Sequence, residues 1–177
     1  RYRKVFPWRP TESFDPGERF VTFDIPGRAR IGLSICYDVW FPECTRQLAW
    51  MGAELVLNLV KTTTTDREHE LLLARANAIF NQLFLVTVNC AAPVGMGRSA
   101  IVGPEGELRK ETLDAAPSML FDELDLDRVR MTRERGTCGH NRVWMQFNPE
   151  DRPIRLPCYD GAITPQRWRP DTAPAGE

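Results

Sequence analysis

The sequence predicts an α/β fold, and three observations carry that expectation. Between Phe20 and Asn89, apolar strand-length runs alternate with segments of helical period. Apolar side chains make up 42% of the 177 residues, enough to fill a core. No apolar run reaches the roughly 18 residues that a membrane span needs, so the apolar segments read as core elements.

The first 18 residues, RYRKVFPWRPTESFDPGE, mix rings, prolines and charges. They read as a loop held against something rather than as a free linker. Phe20 to Ile25 alternates as a strand does, Pro26-Gly27 marks a turn, and Arg30 to Cys36 is the hairpin partner. Pro42 suits the first turn of a helix, where its missing N–H costs nothing, and that helix is expected to reach Met51, with Gly52 at its end. Glu54 to Val60, ELVLNLV, is apolar enough for a central strand. Thr65 or Asp66 is expected to cap a second helix over 67–81, whose Leu72, Ala76, Ile79 and Phe80 keep helical spacing. Leu83 to Asn89 is the fourth strand. Strand, helix, strand, helix, strand is the order of a layered α/β domain.

Beyond residue 98 a hairpin is expected around Gly103-Pro104-Glu105-Gly106, then a strand over Met119–Leu124 and a charged helix over Asp125–Arg135. The arginines of that helix interleave with acidic residues and read as a solvated face. We expect a main domain over 1–135 and a Pro-rich extension over 136–177, suited to packing on a partner subunit.

Lys plus Arg total 23 against 24 Asp plus Glu, so no global field favours nucleic acid or an anionic membrane. The five cysteines, Cys36, Cys44, Cys90, Cys138 and Cys158, form no CxxC or Cys/His cluster. Free thiols in a cytoplasmic protein are the expectation, with no metal and no cofactor. His69 and His140 are too far apart in sequence to argue for a Cys–His pair.

The segment IGLSICYDVWFPE, residues 31–43, concentrates the chemistry. An apolar strand delivers Cys36 to its end and a turn follows at once. Such a turn exposes a side chain at the sheet's carboxyl edge and leaves backbone N–H groups free for an oxyanion. A cysteine there is either a nucleophile or an inert core thiol, and the residues alone leave both open.

YRKVFPWRPTE, GLSICYDVWFPE, the RANA of residues 75–78 and GRSAIVGPEG over 97–106 together resemble the nitrilase superfamily of carbon–nitrogen hydrolases. The resemblance covers about residues 1–130. It implies a four-layer αββα sandwich, incomplete in this chain, and a Glu–Lys–Cys triad that hydrolyses a small amide. Cys36 takes the nucleophile's place and Lys4 the lysine's. Glu12, eight residues past Lys4, matches a second glutamate of the aliphatic amidase and formamidase branch, although Cys36-Tyr37-Asp38 departs from that branch's Cys-Asp-Asp. The resemblance assigns the oxyanion to Lys4 and the Tyr37 N–H, gives Glu12 the orientation of substrate or water, and lets Trp8 wall the acyl pocket. It also implies a homo-oligomer. Nitrilase or N-carbamoyl amidohydrolase chemistry on the same triad, or a non-catalytic amide-binding member, are the alternatives. The family's first glutamate, the general base, precedes the lysine motif and is not among these residues. The chain is therefore expected to be the C-terminal portion of a longer hydrolase, lacking that base and the strands that flank the strand of Cys36.

Overall fold

The computed structural model describes residues 1–148 and 150–152. Residues 1–146 form one compact unit. Its strands β1 (Val21–Ile25), β2 (Ala29–Ile35), β3 (Leu55–Val60), β4 (Phe84–Asn89), β5 (Ala100–Val102) and β6 (Leu108–Glu111) make a single sheet in chain order. β2, β3 and β4 run parallel, and the other pairings are antiparallel. The parallel crossovers carry α1 (Pro42–Trp50) and α2 (Asp66–Asn81), and α3 (Asp127–Arg135) follows the last strand.

One expectation fails at the centre of the sheet. The strands beside β2 are present: β1 pairs along one edge and β3 along the other. β2 is followed at once by a short 3-10 turn, Cys36–Trp40.

Side chains alternate across a sheet, so its two faces can be read from the register. Gly32, Val56, Leu85 and Val102 align on the face that packs against α1 and α2. There Cys44, Leu48, Ala49, Ala74, Ala78 and Leu83 complete the core. Gly32 is required by close approach, because a Cβ at this position would lie 3.1 Å from the Leu48 Cβ. The same face continues into Ser34, Asn58, Thr87 and Asn89, all buried and polar. Leu33, Ile35, Leu57, Leu59, Val86 and Val88 lie on the opposite face, where Leu59 is 53% and Val88 44% exposed. The described residues thus supply one sheet and its helices, and no second sheet is present among them.

Several local expectations need correction. Residues 119–124 form no strand: Met119 and Phe121 face outward and the segment is tied down by a forked Arg109–Asp122 pair at 2.6 and 3.1 Å. Side-chain bonds to Arg109 of β6, rather than a backbone ladder, hold this segment at the edge of the sheet. Thr65 occupies the N-cap of α2 without a side-chain cap; backbone bonds from Arg67 and Glu68 to the Thr64 and Thr65 carbonyls open the helix instead. Arg133 is not part of a solvated face, since it reaches the Ala53 carbonyl at 2.9 Å and the Asn81 carbonyl at 3.3 Å. Within the same unit Trp144 packs against the core. The rest of the Pro-rich extension, from residue 153, lies outside the described residues, as does Cys158.

Candidate active site

Cys36 sits where the apolar strand must turn. β2 ends at Ile35, and Cys36 takes φ +47°, the left-handed region that an L side chain adopts at a cost of about 1–3 kcal/mol. Cys36 thus lies just past the carboxyl end of β2, and the residue is half-buried. Tyr37 follows in the first turn of the 3-10 segment, whose opening amides have no partner within the helix. From below, Asn58 on β3 donates to the Ser34 hydroxyl at 2.8 Å and approaches the Cys36 carbonyl at 3.5 Å. Thr87 donates to the Asn58 carbonyl oxygen at 3.2 Å, and Arg67 of α2 donates to Thr87 at 3.1 Å. Arg67 is itself paired with Glu70 at 3.0 Å, both in the interior. A continuous polar chain therefore braces the strand that ends at Cys36 from the helix layer.

The N-terminal loop brings the other charges. Lys4 is only 3% exposed, a rare state for a lysine. Its ammonium donates to Glu12 Oε2 at 2.6 Å, and the same oxygen accepts the Trp8 amide at 2.7 Å. Burial pushes the Glu12 carboxyl up, but the Lys4 ammonium and the Trp8 amide outweigh it and hold the group below the ordinary glutamate range. The Lys4 ammonium also stands 5.9 Å from the centre of the Tyr37 ring. Lys4, Glu12, Tyr2, Phe14 and Ile35 line one open groove. Gly17 closes the loop: its amide donates to the Lys4 carbonyl at 2.7 Å, and a Cβ there would meet the Arg3 carbonyl oxygen. Trp8 lies on the same loop with its ring 52% exposed.

Asp38, whose place just past Cys36 predicts a bond to backbone near the turn, also joins the two parts. Asp38, fully buried, accepts from the Tyr2 hydroxyl at 2.6 Å, the Val5 amide at 3.1 Å, the Phe6 amide at 2.8 Å and the Ile35 amide at 2.9 Å. Burial raises its carboxyl from the ordinary range, and the Tyr2 hydroxyl, the amides and the Lys4 charge pull against that rise. Phe6 adds a stacked contact with Phe41 at 3.8 Å. A buried Asp two residues after a cysteine was a signal, since burial of a carboxylate demands donors. The identity of three of those donors, 32 to 36 residues away, was not in the local sequence.

Of the remaining cysteines, Cys44 lies behind the site, against Tyr2, Ser34 and Asp38. Cys44 is buried in the core and its thiol is pushed well up by desolvation, which makes it inert. Cys36, Cys44, Cys90 and Cys138 are all free thiols. His69 lies edge-on to Trp40, and no group of three or more His, Cys, Asp or Glu suited to a metal occurs among the described residues. No helix among them is long and apolar enough to cross a membrane.

The carbon-nitrogen hydrolase family model matches residues 1–134. The chain belongs to the carbon-nitrogen hydrolase family. It is 33% identical to a formamidase of Bradyrhizobium diazoefficiens over 138 residues, which cover 75% of this chain and 41% of that protein. Nit3 of Saccharomyces cerevisiae, a nitrilase-superfamily member, superposes with a TM-score of 0.67 at 29% identity over 75% of this chain and 51% of its own. A Glu-to-Gln variant of the amidase from Nesterenkonia sp. AN1 superposes with a TM-score of 0.64 at 29% identity, over 84% of this chain and 52% of its own. That structure holds the acetamide moiety of fluoroacetamide covalently on its active-site cysteine. The chain thus spans about half the length, or less, of the relatives it matches. Its sheet and helices form part of the nitrilase-type α/β fold.

Proposed function

We propose that this carbon–nitrogen hydrolase chain supplies the nucleophile and the oxyanion-binding charge of an amidase that cleaves a small carboxamide through a cysteine thioester. The observation that carries this reading is the strained turn at Cys36 with the Lys4–Glu12 pair held beside Tyr37. The formamidase and amidase relatives support the substrate class.

The proposed steps balance as follows. A base takes the Cys36 proton, the sulfur bonds to the carbonyl carbon, and the carbonyl electron pair moves onto oxygen. Lys4 and the Tyr37 N–H stabilise that oxyanion, the larger contribution coming from a charge already in place before reaction. The oxyanion collapses, the C–N bond breaks, and nitrogen leaves as ammonia or an amine with the proton returned by the base. Water, activated by the same base, then attacks the thioester and releases the acid and the thiol. Glu12 keeps Lys4 charged and in place, and its free oxygen orients the amide or the water. Trp8 and Tyr37 border the acyl side.

The base is a carboxylate from outside these 177 residues. Glu12 is committed to Lys4 and to the Trp8 amide, and the open apolar sheet face together with the relatives' greater length supports a second sheet layer that brings the base. The working unit is read as a homo-oligomer of such complete sandwiches.

The test is an amide and nitrile panel on the full-length protein with ammonia detection, set against Cys36→Ala. Turnover of small carboxamides that vanishes in the variant supports the reading. Release of carbon dioxide with ammonia redirects it to carbamoyl substrates, turnover of nitriles alone redirects it to a nitrilase, and unchanged turnover in Cys36→Ala refutes it.

A further inference from the structure

We propose that Asp38 is the positioning residue of this site, whose carboxylate fixes the Lys4 ammonium relative to the Cys36 thiol. The inference rests on the thioester reading above, and goes beyond it by naming what places the ammonium relative to the thiol.

Its basis is which backbone each oxygen holds. Oδ1 accepts the Val5 and Phe6 amides, the two that follow Lys4. Oδ2 accepts the Tyr2 hydroxyl, which lies two residues before Lys4, and the Ile35 amide, which immediately precedes Cys36. One buried carboxylate thereby clamps the chain on both sides of Lys4 and meets the nucleophile's turn from within, because Asp38 itself is two residues past Cys36. Lys4 does not bond Asp38; it points instead to Glu12. Asp38 therefore acts on the ammonium through the loop, not by contact. Phe6 on Phe41 closes the same joint with a stacked ring pair.

A carboxylate is required because all four interactions are donated to it, two per oxygen, which uses its full acceptor capacity. Asparagine has nearly the same shape but one acceptor oxygen and an NH2 group. In one orientation the NH2 faces the Ile35 N–H, donor against donor; in the other it faces the Val5 and Phe6 amides. The Tyr2 hydroxyl can turn and accept, but a backbone N–H cannot. Asp38→Asn must release either the lysine loop or the nucleophile's turn, and no water enters to replace the lost bond at a fully buried position.

The test is steady-state kinetics of the full-length protein on butyramide. A misplaced reacting group costs on the order of 100-fold in rate, so Asp38→Asn should lower kcat by about that factor while KM stays within about threefold. Tyr2→Phe removes one donor and should lower kcat by less, and the double variant should be no slower than Asp38→Asn alone, because both break the same clamp. Val129→Ala, on the buried face of α3 and outside the site described above, serves as the stability control: at a comparable loss of Tm it should retain kcat. Near wild-type kcat in Asp38→Asn, a drop no larger than that of Val129→Ala, or additive losses in the double variant would overturn the proposal. Should Asp38→Asn not fold, an unchanged kcat in Tyr2→Phe overturns it instead. The thioester reading fails separately, by persistence of turnover in Cys36→Ala, whereas an inactive Cys36→Ala beside an active Asp38→Asn refutes the positioning role alone.

Discussion

The sheet face that packs on α1 and α2 carries Ser34, Asn58, Thr87 and Asn89 toward the site end, whereas the opposite face carries Leu33, Ile35, Leu57, Leu59, Val86 and Val88. The polar set is the buried one and the apolar set is half open. Burial of the first is possible because each group is answered: Asn58 by Ser34 and Thr87, Asn89 by the Thr62 backbone and the Gly97 carbonyl, Arg67 by Glu70. Exposure of the second is unfavourable by roughly 25 cal/mol for each Å2 of apolar area, which a second apolar layer would recover. The helix side thus holds the strand of Cys36 through answered polar groups, whereas the proposed mechanism draws its base from the half-open face.

The contrast can be broken most sharply from the open side. Residues 1–177 alone should aggregate on size-exclusion chromatography and show no amide turnover, since a missing general base costs roughly 10²–10⁴-fold in rate. Restoring both solubility and turnover by adding the upstream segment, fused or separate, would sharpen the account. A soluble, active 177-residue monomer would show that the base lies inside this chain, with Glu12 the first suspect.

Next in size is Lys4→Ala in the full-length protein. Loss of the oxyanion charge should lower kcat by about 10²–10³-fold, and the variant should keep a cooperative thermal transition. Near-normal turnover would remove Lys4 from the mechanism.

On the braced side, Glu70→Ala leaves Arg67 charged and unpaired in the interior. Urea unfolding should show a loss of about 3–5 kcal/mol, without preferential loss of thiol reactivity at Cys36 in the folded fraction. A loss below about 1 kcal/mol would mean that water reaches Arg67.

The smallest effect concerns pH. The folded-state pKa of Glu12 is lowered, so its contribution to stability is present above the ordinary glutamate range and disappears as pH falls through the lowered value. Thermal melts should therefore show the difference between wild type and Glu12→Gln shrinking as the pH drops below about 4.3, the unperturbed value. A difference that grows with acidification would contradict the Lys4–Glu12 pairing in solution.

Much of this was readable from residue order. The apolar run into Cys36 and Pro42 at a helix start placed β2 and α1 correctly, while the pairing of Lys4 with Glu12 came only with the structure. What was not readable depended on partners distant in sequence. Asp38 looked like a local turn residue because its three donors from residues 2–6 lie 32 to 36 positions away. Arg133 looked solvated because the carbonyls it reaches belong to residues 53 and 81. Met119–Leu124 looked like a strand because hydrophobicity carries no information about whether an edge is free to receive it. The expectation that the strands beside β2 lie outside these residues fails, because β1 and β3 flank it on its two edges.

The central claim, that Cys36 is the atom-bearing partner of the substrate carbonyl, has one direct measurement. Full-length protein is incubated with fluoroacetamide, digested and mapped by mass spectrometry, with ammonia release followed in parallel. The account predicts a single covalent adduct on Cys36, with Cys44, Cys90 and Cys138 unmodified and turnover lost in step with adduct formation. An adduct elsewhere, or full modification of Cys36 with turnover intact, would contradict it.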